Sequence, residues 1–269
     1  MTNLFMWRHR HHPRWHERDG FLFVVLEPAG QDAFGLPPLG PGDGAAALDF
    51  VCRELEKSGA RPTVRLADRD FVDRFVDPDR YQAVLEPNQS DYVYRTRDLI
   101  ELAGRKYHRK KNFLNRFLKS HAFEFAPLTA NLARDFLEMQ ERWCRMKNAG
   151  QHPELLDEDR AIREALTHFE DLDFKGGAIV MDGRVEAFSL GEVLNPETAV
   201  IHIEKANPGI SGLYAAINQR SCLEFWAGLP FINREQDLGR PGLRKAKRSY
   251  FPHHMVDKFT VTPREAFRG

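Results

Sequence analysis

The chain has 269 residues, enough for one large domain or two modest ones with a sizeable core. Its 39 Lys and Arg balance its 39 Asp and Glu, so the total charge makes no case for a nucleic-acid binder, although the charges are segregated along the chain; 42% hydrophobic and 29% charged residues are ordinary for a globular protein. The longest strongly apolar run, Phe21 to Leu26, is far too short to span a bilayer, which points to a cytoplasmic protein, and Cys52, Cys144 and Cys222 lack metal-ligand spacing and are expected reduced and buried.

In chain order, the run His9-Arg10-His11-His12, with His16, reads as an exposed loop rather than a metal site. Phe21 to Leu26 reads as a strand, Phe34 to Pro38 as an extended segment entering a turn, and Ala45 to Lys57 as a helix closed by Gly59. Strands are expected at Pro62 to Leu66 and Tyr81 to Leu85, with a short helix from Asp70 to Phe75 between them. Arg105 to Lys119 is a strongly basic helix with an apolar stripe of Phe113, Leu114, Phe117 and Leu118. A strand from Phe123 to Leu128 leads into helices near Asn131 to Lys147 and Glu158 to Glu170. Two apolar runs around Asp182-Gly183 predict a hairpin, and Thr198 to Glu204 a third strand. The loop Ala206 to Gly212, a helix from Leu213 to Trp226 and a short strand before Asn233 complete the order.

The densest chemistry lies in Asn233 to Tyr250, which packs both charge signs, carboxamides and turn glycines directly behind the apolar pair Phe231-Ile232. Carboxylates leaving a buried strand stand where open α/β sheets bind ligands, so Glu204, Glu235 and Asp237 are candidate catalytic residues, suited to take a proton or hold an ammonium. Lys205, Asn233, Arg234, Lys245, Lys247 and Tyr214 are candidate substrate-binding residues, with the cations placed to meet a phosphate or developing negative charge. Arg105, Lys106, Lys110 and Lys111 form a candidate polyanion-binding patch. His202, inside a predicted strand, reads as a hydrogen-bonded core histidine, and Cys144 and Cys222 as buried rather than nucleophilic.

Three blocks, Leu102 to Asn112, Gly212 to Gln219 and Asn233 to Tyr250, with Asn3 to Arg8 and Tyr92-Val93-Tyr94, resemble the signature of an uncharacterised bacterial family classed with the C-terminal domain of phosphatidylglycerol lysyltransferase. The resemblance covers nearly the whole chain. It implies an α/β (α+β) fold of two tandem GNAT-like acyltransferase domains, residues 1–120 and 121–269, with mixed, mostly antiparallel sheets flanked by helices. The first domain looks shortened at its start, and the integral membrane half of the full-length lysyltransferase is not present in this sequence. By that kinship the expected function is transfer of an aminoacyl or acyl group onto an amine or hydroxyl acceptor, with aminoacyl-tRNA as donor, no bound cofactor or metal, and anionic phospholipid at the membrane surface as a candidate partner. Two rivals stand beside it: an acyl-CoA-dependent N-acyltransferase, and a non-catalytic module binding a polyanion or metabolite. Pro208 removes a donor from the Ala206 to Gly212 loop, which leaves it poorly matched to a coenzyme A pyrophosphate.

Overall fold

The structure, a computed structural model, describes residues 2–264, apart from the side chains of residues 130 and 131. In chain order the elements are α1 (Thr2–Met6), α2 (Arg8–His11), β1 (Arg14–Arg18), β2 (Phe21–Leu26), β3 (Phe34–Gly35), α3 (Gly44–Lys57), β4 (Val64–Ala67), α4 (Arg69–Phe75), β5 (Tyr81–Leu85), β6 (Asp91–Arg95), α5 (Thr96–Glu101), α6 (His108–Ser120), β7 (Glu124–Pro127), α7 (Ala130–Met146), α8 (Pro153–Thr167), β8 (Lys175–Met181), β9 (Arg184–Asn195), β10 (Thr198–Ala206), α9 (Leu213–Phe225), β11 (Phe231–Asn233), α10 (Pro241–Arg248), β12 (His254–Val256) and β13 (Phe259–Pro263). Short 3-10 turns precede α6 and α8.

The described residues divide into two units, one holding residues 7–91, 236–240 and 255–264, the other holding residues 2–6, 92–235 and 241–254. The first is built on a six-stranded sheet of order β1-β2-β3-β4-β13-β5. Its opening hairpin turns at Asp19 and Gly20, both at positive φ (52° and 77°), the backbone that a tight two-residue connection between twisted strands requires. Asp43 caps α3 by accepting from the amides of Ala45 and Ala46, and Asp68 caps α4 through the amide of Phe71. Leu48, Val51 and Leu55 of α3 then pack with Phe21, Phe23, Val64 and Val261 of the sheet.

The second unit carries the seven-stranded sheet of order β12-β6-β11-β10-β9-β8-β7. Asp182 and Gly183 turn the expected β8–β9 hairpin, again both at positive φ. Ala187 joins the cluster formed with Leu213, Ala216 and Ile217 of α9, whereas the next residue, Phe188, stacks 5.0 Å from Phe136 of α7. Neighbouring strand residues point to opposite faces, so the sheet is covered by α9 on one side and α7 on the other.

The elements expected from periodicity are present, with shifts at their ends: α8 starts at Pro153, five residues before the expected Glu158, because proline is tolerated in the first helical turn. The expected division at residue 120 does not coincide with the two units. Tyr92, Tyr94, Leu99, Leu102, Leu114 and Phe117 share one buried cluster with α9 and β10, which draws β6, α5 and α6 to the seven-stranded sheet. The last strand, β13, inserts between β4 and β5 of the six-stranded one. The histidine run, expected as an exposed loop, instead forms α2, with His9 and His11 half-buried.

Candidate functional site

β10 and β11 run parallel and are paired only at Thr198 with Phe231, Ala199 with Ile232 and Val200 with Asn233. Beyond that point β10 continues to Ala206, while the chain after Asn233 stays with β6: the Arg234 amide donates to the Tyr92 carbonyl at 2.9 Å and the Tyr92 amide to the Glu235 carbonyl at 3.2 Å. The two neighbours therefore part, and a wedge opens between them. A register shift against β9 between Ile201 and Ile203 leaves His202 as the extra residue of a bulge just past the point where this wedge opens. Gly191 stands opposite Ile201, where a Cβ would lie 2.5 Å from the Val200 carbonyl oxygen, so only glycine permits that approach.

Side chains bridge the wedge where the backbone ladder stops. His202 Nδ1 is 2.8 Å from Glu235 Oε1 and its Nε2 is 2.9 Å from Glu192 Oε1. Both partners are carboxylates, so both ring nitrogens must donate and the ring is an imidazolium. Burial opposes that charge, but the bonds to Glu192 and Glu235 outweigh it and raise His202 to about 9. Thr2 Oγ1 donates to Glu192 Oε2 at 2.7 Å and Asn3 Nδ2 to Glu235 Oε1 at 3.0 Å, so α1 helps fix both acids. Further along β10, Arg234 Nη2 donates to Glu204 Oε1 at 2.8 Å, and Asn218 of α9 donates to Glu204 Oε2 at 3.0 Å. The Arg234 guanidinium lies 5.0 Å from the Tyr250 ring and 5.8 Å from that of Tyr94. Lys110 of α6 sits 4.1 Å above the same Tyr250 ring.

The structure brings Glu204, Arg234 and Glu235 together and gives other candidates different work. Lys247, expected to meet a phosphate, is buried and donates to the Arg234 and Glu235 carbonyls, pinning the turn that presents both side chains. Asn233, expected to bind substrate, accepts from the Glu235 amide at 2.7 Å; it shapes the turn in which Glu235 adopts φ 56°. Asp237 belongs to the six-stranded unit, where it is fully buried and accepts from the Gly239 amide at 2.8 Å. Lys205, next to Glu204 and hence on the other face of β10, pairs with Glu158 at 2.8 Å and lies 3.7 Å over Trp143. Tyr214 accepts from the Trp143 indole at 3.1 Å. Lys245 is exposed.

The basic patch is also divided. Arg105 is exposed, Lys106 lies 3.7 Å from Asp98, Lys111 donates to the Glu101 carbonyl, and Lys110 is turned inward to the wedge. All three cysteines are free thiols; burial pushes Cys52 and Cys222 up to about 12 and Cys144 up to about 11, which leaves them poor nucleophiles. Among the described residues no group of His, Cys, Asp and Glu could hold a metal ion, and no helix is long and apolar enough to cross a membrane. A surface hollow of about 380 Å³ lies away from these groups, between α5 and the Ala227 to Pro230 turn, and its lining includes none of the wedge's charged residues.

Sequence reasoning missed Glu192, Asn218, Tyr94, Tyr250 and the bridging role of His202. Asn218 carried a signal, a carboxamide directly after the apolar Ala215-Ala216-Ile217 of a buried helix face. The bulge that aims His202 left none.

A family profile described as phosphatidylglycerol lysyltransferase, C-terminal, matches residues 1–262. A conserved protein of unknown function from Bacteroides thetaiotaomicron has a similar crystal structure, with 31% identity and a TM-score of 0.91 over 98% of this chain and 90% of that one. The C-terminal domain of a putative lysylphosphatidylglycerol synthetase from Agrobacterium fabrum aligns with a TM-score of 0.67 at 13% identity, over 94% of this chain and 84% of its own. A tandem GNAT protein from the clavulanic acid biosynthesis pathway aligns at 0.50 with 11% identity, over 92% and 80%. The fold is accordingly a mixed α/β pair of tandem GNAT-like sheets flanked by helices, and the chain belongs to the family of phosphatidylglycerol lysyltransferase C-terminal domains.

Proposed function

We propose that this chain is a transferase that moves an aminoacyl group from an aminoacyl-tRNA ester onto an amine or hydroxyl acceptor, with the β10–β11 wedge as its active centre. The observation that carries this reading is the placement of Glu235: its Oε1 is held by His202 and Asn3, and no described residue donates to its Oε2. A carboxylate so fixed on one oxygen has the other available for the proton of an attacking amine or hydroxyl. The His202 imidazolium orients it, and Arg234 supplies positive charge near the carbonyl oxygen that becomes negative as the ester is attacked. Glu204 holds Arg234 in place.

The loop before α9 favours this donor over coenzyme A. The Asn207 amide donates to the Glu186 carbonyl, the Gly209 amide to the Asn207 side chain and the Ile210 amide to the Asn207 carbonyl, and Pro208 has none. Gly212 abuts α6 so closely that a Cβ there would lie 2.5 Å from the Phe113 carbonyl oxygen. A pyrophosphate needs those amides and that helix terminus open. Exposed Arg105, Arg109, Arg116 and Lys245 offer cations to tRNA or to an anionic phospholipid surface.

The test supplies the chain with a mixed pool of radiolabelled aminoacyl-tRNAs, or with labelled acyl-CoA thioesters, together with amines and anionic phospholipid vesicles. Label should leave tRNA for an acceptor and stay on CoA. Label leaving CoA alone overturns the donor; label leaving neither overturns the reading.

A further inference from the structure

The part of the wedge around Glu204, beyond His202, holds more positive charge than its own residues balance. Arg234, Lys110 and Lys247 converge there on the rings of Tyr94, Tyr250 and Tyr92, with the single carboxylate of Glu204 among them. Lys247 is taken up by two carbonyls and Arg234 Nη2 by Glu204. Arg234 Nη1 is buried without a hydrogen-bond partner, and so is the Oδ1 of Asn218, the residue on the other side of Glu204. Lys110 makes no hydrogen bond or ion pair with any described residue; it only overlies Tyr250. A guanidinium donor and an ammonium left unmatched in a half-buried setting are costly unless something else completes them. All of these groups lie in the seven-stranded unit.

We propose that Lys110 and Arg234 form a subsite for one oxyanion, a carboxylate or phosphate group carried by the acceptor, which binds between the ammonium and Arg234 Nη1. The ligand's negative charge balances the surplus cation, its oxygens accept from both groups, and a neighbouring N–H or O–H of the same ligand donates to Asn218 Oδ1. The apolar tyrosine faces bound the subsite and strengthen the attraction by excluding water. Burial, with the repulsion of Arg234 added, holds the Lys110 ammonium down to about 8, the behaviour of a cation waiting for its counter-charge. The acceptor's identity rests on the transferase reading; the anion subsite does not.

The experiment therefore measures binding without any donor. Lysine side-chain NMR of the parent chain, with the Lys110 signal identified by its loss in Lys110→Arg, is followed as acetate, methyl phosphate or uncharged acetamide is added at constant ionic strength in chloride. Acetate, methyl phosphate or both should raise the pKa of Lys110 by about one unit or more, and by linkage bind about tenfold more weakly once the pH exceeds that pKa. Acetamide should do neither. Which of the two anions acts more strongly separates a carboxylate-bearing acceptor from a phosphate-bearing one. Lys110→Met should weaken binding of the effective anion about tenfold or more, while Lys110→Arg retains it. An unmoved Lys110 signal with both anions, or the same shift with chloride alone, overturns the subsite. If Lys110 responds but no label is ever transferred, the subsite stands and the transferase reading falls.

Discussion

Each sheet contains a parallel strand–helix–strand crossover, β3–α3–β4 in the six-stranded unit and β10–α9–β11 in the seven-stranded one, and the two are built from opposite materials. At the first, Gly35 lets β3 approach Val51, Leu55 and Val64 so closely that a Cβ would meet Val51 at 2.8 Å, and Asp43 fills the start of α3 with its own carboxylate. At the second, no side chain caps α9, and the strands part around His202, Glu204, Arg234 and Glu235. Apolar contact closes one crossover at low energetic risk. Charge closes the other, where each group removed leaves a partner buried and unmatched. The proposed chemistry is placed at this charged crossover, in the seven-stranded unit.

The contrast is broken most severely through the Arg234–Glu204 ion pair. Arg234→Met should leave Glu204 uncompensated and cost about 3–5 kcal/mol in denaturant unfolding. A cost no greater than that of a surface substitution would place the two crossovers on the same footing. The histidine gives the next largest effect. His202 is raised from its ordinary value to about 9 in the folded chain, so its contribution is fully present below about pH 6.5 and is lost as the pH climbs through about 9. Parent stability should fall by on the order of 2–3 kcal/mol across that window. His202→Gln should be less stable at pH 6 and lack the slope; a parent profile that is flat over the same range would show that the carboxylates do not hold the imidazolium.

In the apolar crossover the expected effects are smaller. Gly35→Ala overpacks the strand against Val51 and should cost about 1–3 kcal/mol by the same denaturant measurement, independent of pH. Asp43→Ala removes the α3 cap and should cost about 1 kcal/mol. If either variant lost the parent's pH slope, that slope would not belong to the wedge.

The same contrast explains what the sequence made legible. Periodicity and turn chemistry revealed the hairpin at Asp182-Gly183, the stripe of α6 and the apolar helix α9, because those signals lie within a few residues of one another. Glu204, Arg234 and Glu235 were visible as charges leaving buried strands. Their partners were not. Glu192 reaches His202 across a bulged ladder, Lys110 arrives from a helix whose neighbouring lysines and arginines face solvent, and Thr2 and Asn3 come from the far end of the chain. Nothing in local spacing encodes such long-range meetings. Asp237 and Lys247 show the converse: a carboxylate and an ammonium beside a strand end look alike whether they meet a ligand or tie down a turn, and here Asp237 accepts from the Gly239 amide and Lys247 donates to the Arg234 and Glu235 carbonyls.

The central claim, that the wedge performs acyl-group chemistry and the apolar crossover does not, is tested most directly by rates of label transfer from aminoacyl-tRNA for three folded proteins: the parent, Glu235→Gln and Asp43→Ala. Removing the base should lower the rate by about 10²-fold or more, within the range that general-base catalysis supplies, while the cap variant keeps the parent rate. Equal rates for Glu235→Gln and the parent, or a loss confined to Asp43→Ala, would contradict the account.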